Sequence, residues 1–168
     1  DYQREMICSI TFLDTLEDAP EDSWDVSEAG NGTVLAWVKP NGERYDLYIG
    51  ANGGVCAGES CKDLFAGYIF TENITFGDAF HTEDVTDMDN MFFVCTDLTH
   101  LDLTGFDTSS VRNMSGMFSL CTGLSSLDLS SFNTANVTDM GSMFKECEKL
   151  MYLDLRGFDT ANVRQMGS

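Results

Sequence analysis

Phe80-His-Thr-Glu-Asp-Val-Thr-Asp-Met-Asp-Asn-Met-Phe-Phe-Val-Cys-Thr-Asp-Leu-Thr-His-Leu-Asp-Leu-Thr-Gly105 decides how this chain is read. The same text starts again at Phe106 and Phe132 and is begun once more at Phe158, always 26 residues on. Val85, Val111, Val137 and Val163 keep that spacing. So do Met88, Met114, Met140 and Met166, the pairs Met91-Phe92, Met117-Phe118 and Met143-Phe144, and the cysteines Cys95, Cys121 and Cys147. Each unit closes on Leu-x-x-Leu-Asp-Leu, at residues 98–103, 124–129 and 150–155.

A fixed period of this length built on Leu-x-x-Leu-x-Leu is the signature of a leucine-rich-repeat solenoid. In residues 100–104 leucine alternates with polar residues, the pattern of a half-buried strand. Stacked units would set these strands side by side at roughly 4.8 Å in a parallel sheet. No unit buries its apolar face alone, so stability comes from neighbours. The stripe Val137, Met140, Met143, Phe144, Cys147 has the spacing of one or two helical turns, with Thr86 and Thr138 placed as caps. Arg112 fills that column in the unit between them, so the cap is not uniform. The expected fold is therefore an α/β repeat solenoid, with a parallel β-sheet on one face and short helical turns on the other.

The unit Phe-Asp-Thr-x-x-Val-x-(Asp/Asn)-Met-x-x-Met-Phe-x-x-Cys-x-x-Leu-x-x-Leu-Asp-Leu resembles the BspA-type leucine-rich repeat over residues 80–168. That repeat occurs in large surface proteins of gut and oral bacteria, in mycoplasma lipoproteins and in some parasitic protists. The resemblance implies a cell-surface protein used in adhesion. The Asn ladder of ordinary leucine-rich repeats is missing. Asp107, Asn133 and Asp159, with Thr108, Thr134 and Thr160, are placed to satisfy turn backbone groups instead.

The segment before the repeats divides the chain into an N-terminal β-rich cap, 1–63, and a repeat region, 64–168. Met6 to Leu13 reads as an edge strand. Trp24 to Ser27, Thr33 to Val38 and Arg44 to Ile49 read as three more, with turn signals at Asn31-Gly32 and Pro40-Asn41-Gly42. Such a β-meander would cover the first unit, with Trp24 and Trp37 in its core. A worn first unit follows. Leu64-Phe65 stands for Met91-Phe92, Tyr68 for Cys95 and Ile74-Thr75-Phe76 for residues 101–103, at an offset of 27. The chain opens without Met and stops inside a unit at Met166-Gly167-Ser168. It reads as part of a longer protein, with additional repeats or domains, signal and anchor outside it.

The net charge is −19, from 28 acidic and nine basic residues. That excludes nucleic acid, which needs Lys and Arg against phosphate, and an anionic membrane surface. No transmembrane run is present, so no direct membrane insertion is expected. Cys95, Cys121 and Cys147 follow the apolar stripe and read as buried structural thiols. Cys56 and Cys61 lie outside the repeat as a possible disulfide in a loop, and Cys8 has no evident partner. Asp84, Asp87 and Asp89 lack the Gly and distant Glu of a calcium loop and read as solvated carboxylates at a helix start. Sequons at Asn31, Asn73, Asn113 and Asn136 are glycan acceptors only in a secreted eukaryotic setting. Neither His81 nor His100 sits in a catalytic motif, so no enzyme, cofactor or metal is expected.

The candidate binding face is the outward side of the strands. It has three columns: His100, Ser126 and Tyr152; Asp102, Asp128 and Asp154; Thr104, Ser130 and Arg156. Neighbouring aspartates should repel and raise the carboxyl pKa most at the central Asp128. The expected function is an extracellular module at the cell surface or cell wall that binds a host or bacterial surface protein. The alternatives are a stalk that presents another domain and, further off, an enzyme or inhibitor domain.

Overall fold

The computed structural model describes residues 3–167. Asp1 and Ser168, which bound the expected regions, lie outside the described residues. A 3₁₀ turn at Arg4–Met6 leads into strand β1, Ile7–Leu13. Then come β2 (Trp24–Asp25), β3 (Leu35–Asn41), β4 (Arg44–Gly50) and β5 (Val55–Cys56). The later strands are short: β6 (Asn73–Thr75), β7 (Phe80–His81), β8 (His100–Leu101), β9 (Ser126–Asp128) and β10 (Tyr152–Asp154). One sheet has the order β2-β3-β4-β1-β6-β8, and two-stranded sheets pair β9 with β10 and β5 with β7.

The cap differs from a simple meander. β2, β3 and β4 are successive antiparallel neighbours. β1, expected at an edge, lies inside the sheet, parallel to β4 on one side and to β6 on the other. Its inward residues Ile10 and Phe12 lie in the core at 1% and 5% exposure. The register Ile74↔Leu101 joins β6 to β8 at the 27-residue offset. One sheet therefore runs from the cap into the repeat. Trp37 is in the core, but Trp24 is exposed and does not join it.

The α/β repeat solenoid is corrected. The fold is nearly all β with mixed sheets, and among the described residues the only helical element is the 3₁₀ turn. The reason lies in the backbone of residues 88–98. Met91, Phe93 and Cys95 donate their N–H to residues three back, while Asn90, Phe92 and Val94 donate to Ser115, Met117 and Ser119 of the next unit. An α-helix needs every N–H turned inward to residue i−4. Here alternate groups turn outward. Two residues per unit also take left-handed angles, first at Asp63, Asn90, Gly116 and Ser142, then at Gly67, Val94, Leu120 and Glu146. A left-handed residue every fourth position breaks a right-handed helix. Thr86 and Thr138 cap no helix. Their hydroxyls donate to the carbonyls of Glu59 and Arg112 in the preceding unit.

Consecutive units are joined edge to edge. Parallel bridges link Ser60, Asp87, Asn113, Asp139 and Gln165 in succession. The apolar columns close the interior: Val85, Met88, Met91, Phe92, Val111, Met114, Met117 and Phe118 are all 0% exposed. Phe65, Phe92, Phe118 and Phe144 stack ring on ring with centroids 5.4, 5.5 and 5.8 Å apart. Cys61 stands where Met88 stands one unit on, so it belongs to the apolar column instead of interrupting it.

Candidate functional site

The exposed strand face is built by alternation. Leu101, Leu127 and Leu129 turn inward, which leaves His100, Asp102, Thr104, Ser126, Asp128 and Ser130 outward. β9 and β10 pair Ser126 with Tyr152 and Asp128 with Asp154 directly. A shallow cleft of about 190 Å³ on this face is lined by His100, Asp102, Thr104, Ser126, Asp128 and Tyr152 over Leu101 and Leu103. Six of the nine residues expected on the binding face thus meet in one place. Ser130, Asp154 and Arg156 do not line it, and Asp154, expected on the outward face, is instead buried at 5% exposure.

The aspartate column has a different electrostatic character from the one expected. Asp102 accepts the N–H of Thr104 at 3.0 Å and its hydroxyl at 2.8 Å. Asp128 accepts the N–H of Ser130 at 2.9 Å, and Asp154 that of Arg156 at 3.1 Å. Each carboxylate closes a tight turn at the strand end. Hydrogen bonds to the charged form favour it. The Ser130 side chain and N–H therefore hold the Asp128 carboxyl below the ordinary carboxylate range, and repulsion from Asp154 is the smaller effect. Thr104 lowers Asp102 in the same way. Asp154 is lowered furthest, to about 2, by the Arg156 side chain and N–H. Arg156 Nε lies 2.8 Å from Oδ2 and Nη2 2.6 Å from the same atom, and the Tyr152 hydroxyl donates to it at 3.3 Å. The raised Asp128 pKa is thus corrected to a lowered one.

The same economy governs the rest of the unit. Asp107, Asn133 and Asp159 accept the N–H two residues on at 2.9, 3.1 and 2.9 Å. Asp87, Asn113 and Asp139 do so at 3.0, 3.0 and 2.8 Å. Asp87 and Asp89 thus mark a turn, not a helix start, and Lys62 Nζ lies 2.7 Å from Asp89. The buried Thr82, Thr108 and Thr134 donate to the carbonyls of Asp107, Asn133 and Asp159 at 3.0, 3.1 and 2.9 Å. Asp107, Asn133, Asp159, Thr108 and Thr134 satisfy turn backbone groups as expected, whereas Thr160, expected beside them, is exposed. Thr82 was not singled out, although it shares the period.

Cys95 and Cys121 are fully buried, and their thiols donate to the carbonyls of Phe65 and Phe92 at 3.1 Å each. Burial pushes Cys95 up to about 12 and also raises Cys121. Cys147, in the last full unit, is half-buried and donates to Phe118 at 3.0 Å. Cys56 and Cys61 are both free thiols, Cys56 exposed on β5 and Cys61 buried. Burial raises the Cys61 thiol to about 11.

No curated protein and no solved structure matches the chain. The family model described as "Mycoplasma protein of unknown function, DUF285" matches residues 59–168, well over half of the sequence. The chain belongs to that family, one found in BspA-like repeat surface proteins.

Proposed function

We propose that the chain is an extracellular module of a BspA-like surface protein, held at the cell surface or cell wall, whose exposed strand face binds a host or bacterial surface protein. The observation that carries this reading is the cleft that gathers His100, Ser126, Tyr152 and the neighbouring aspartates. Position 100 and its equivalents change from His to Ser to Tyr while the interior beneath them stays constant. A constant frame with variable outward positions suits recognition. Tyr152, 56% exposed, supplies an aromatic anchor of the kind enriched in binding hot spots. Binding needs no catalytic group, cofactor or metal. Nucleic acid is an unsuitable partner for a chain of charge −19.

The test is retention of serum and mucosal proteins on immobilised chain, compared with the triple variant His100→Glu, Ser126→Arg, Tyr152→Ala. A partner held by the parent and lost by an equally stable variant supports the reading. Equal retention moves binding off this face. The stalk reading is favoured by a separate observation. The aspartates that recur in every unit are engaged in turns, so their repetition serves the frame. Retention by neither protein supports the stalk.

A further inference from the structure

Two cavities meet where the cap sheet faces the first unit. The inner one, of about 360 Å³, has Ile10, Phe12 and Leu47 of the sheet on one side and Leu64 and Phe65 on the other. Val26 and Leu64 at its lining are 46% and 40% exposed, unusual for large apolar side chains beside a core. An apolar cavity of about 150 Å³ suffices to bind benzene. The inner volume therefore has room for one bulky apolar group.

The outer cavity, of about 1030 Å³, shares Glu28, Ala57, Gly58 and Ser60 with the inner one, so the two adjoin. Its further lining includes Glu59, Asp84 and Arg112, which gives three carboxylates against one guanidinium. Glu28, Glu59 and Asp84 take no part in the two ion pairs of the described residues. A ligand that fills both volumes has a small apolar part and a larger cationic part. A lipid-like amphiphile has the opposite proportions, a large tail and a small head. We infer that this junction binds a basic peptide segment carrying one bulky apolar side chain. That side chain enters the inner cavity, and the flanking Lys or Arg residues lie against Glu28, Glu59 and Asp84. The net charge of −19 adds long-range attraction. None of these lining residues belongs to the strand-face cleft, so the two sites are independent.

The probe is acetyl-Lys-Lys-Phe-Lys-Lys-amide, titrated into the full chain by calorimetry and by protection of Cys56 from a thiol reagent. Saturable one-to-one binding is expected, weakened at least tenfold when the lysines become glutamates or the phenylalanine becomes glycine. Glu28→Lys, at an exposed position, should lower affinity about tenfold without moving the melting temperature. Ala57→Trp should fill the inner cavity and remove the dependence on phenylalanine. Should that variant not fold, Glu28→Lys carries the test. Tyr152→Ala should change nothing. Equal binding of the glutamate or glycine peptide, or indifference to Glu28→Lys, overturns the proposal. Tighter binding of decylammonium than of the peptide also overturns it, in favour of a lipid-like occupant.

Discussion

Val94 and Leu120 hold φ angles of 61° and 63°, a region that L-residues avoid. A β-branched residue such as Val94 is a true outlier there. Gly67 occupies the same place in the first unit at φ 76°. A Cβ built on Gly67 meets nothing within 4 Å, so Gly67→Ala isolates the backbone cost. It should destabilise by about 1–2 kcal/mol in chemical denaturation. Gly123 is a different case. Its angle is ordinary, but a Cβ would stand 2.5 Å from the Thr96 carbonyl oxygen and 2.9 Å from that of Leu98. Gly123→Ala should cost about 1–3 kcal/mol through overpacking between units.

Acid stability belongs to the same scale. Asp102, Asp107, Asp128 and Asp154 all have carboxyls lowered by folding. A lowered folded pKa means that the unfolded state binds more protons, so stability rises with pH and is lost on acidification. The Asp154 contribution is complete well above its ordinary value of 3.8 and is lost as pH falls through that value to about 2. Melting temperature should therefore drop between about pH 5 and pH 2. Arg156→Ala should bring the Asp154 titration, followed by NMR, back toward the ordinary range. Because the charged carboxylate is the favoured form, Asp128→Asn should slightly destabilise the chain. Simple repulsion along the column would predict the reverse. That column was legible in the sequence, but its sign was not, because the donors two residues on outweigh the like charge on the next strand.

At the scale of elements, the threonine ladder is the sharpest test. Thr134 Oγ1 donates to the Asp159 carbonyl at 2.9 Å and accepts the Asp159 N–H at 2.7 Å, with 1% exposure. Thr134→Val keeps the shape and strands both backbone groups, at a cost of about 1–3 kcal/mol. The cysteine ladder predicts reactivity. Cys95 and Cys121 should label far more slowly than exposed Cys56 in native protein, and rapid labelling of Cys121 would reject its inward position. The period, the 27-residue offset and the inward columns were all written in the sequence. Helix and turn were not separable there. Val137, Met140, Met143 and Cys147 share one buried stripe whether N–H groups point along the chain or across to the next unit. Nor could the place of β1 be read, since its parallel partners lie far off in sequence. The strand-face cleft was largely legible, because alternation alone puts His100 and Ser126 outward. The cap cavity was not, because Val26, Ile10 and Leu64 come together only in the folded chain.

Across the whole molecule, cover over the interior fades along the repeat. Met88, Met114 and Met140 are 0%, 0% and 4% exposed, and Met166 is 63% exposed. Residues 160–167 should exchange amide hydrogens rapidly in a dilute monomer, and strong protection there would show that the last unit is stable uncovered. The alternating hydrogen bonds of residues 88–98 also bear on how the chain carries load. Half of them cross from one unit to its neighbour, so tension applied at the two ends works against each seam in turn. In single-molecule stretching the repeat should give way as a series of steps. Each step would release 26 residues, or roughly 90 Å of contour length. The segment around β1, clasped on both sides, should be the last to yield. A single large rupture would mean that the seams fail together. Regular small steps would make the chain an extensible tether that absorbs pulling forces by lengthening.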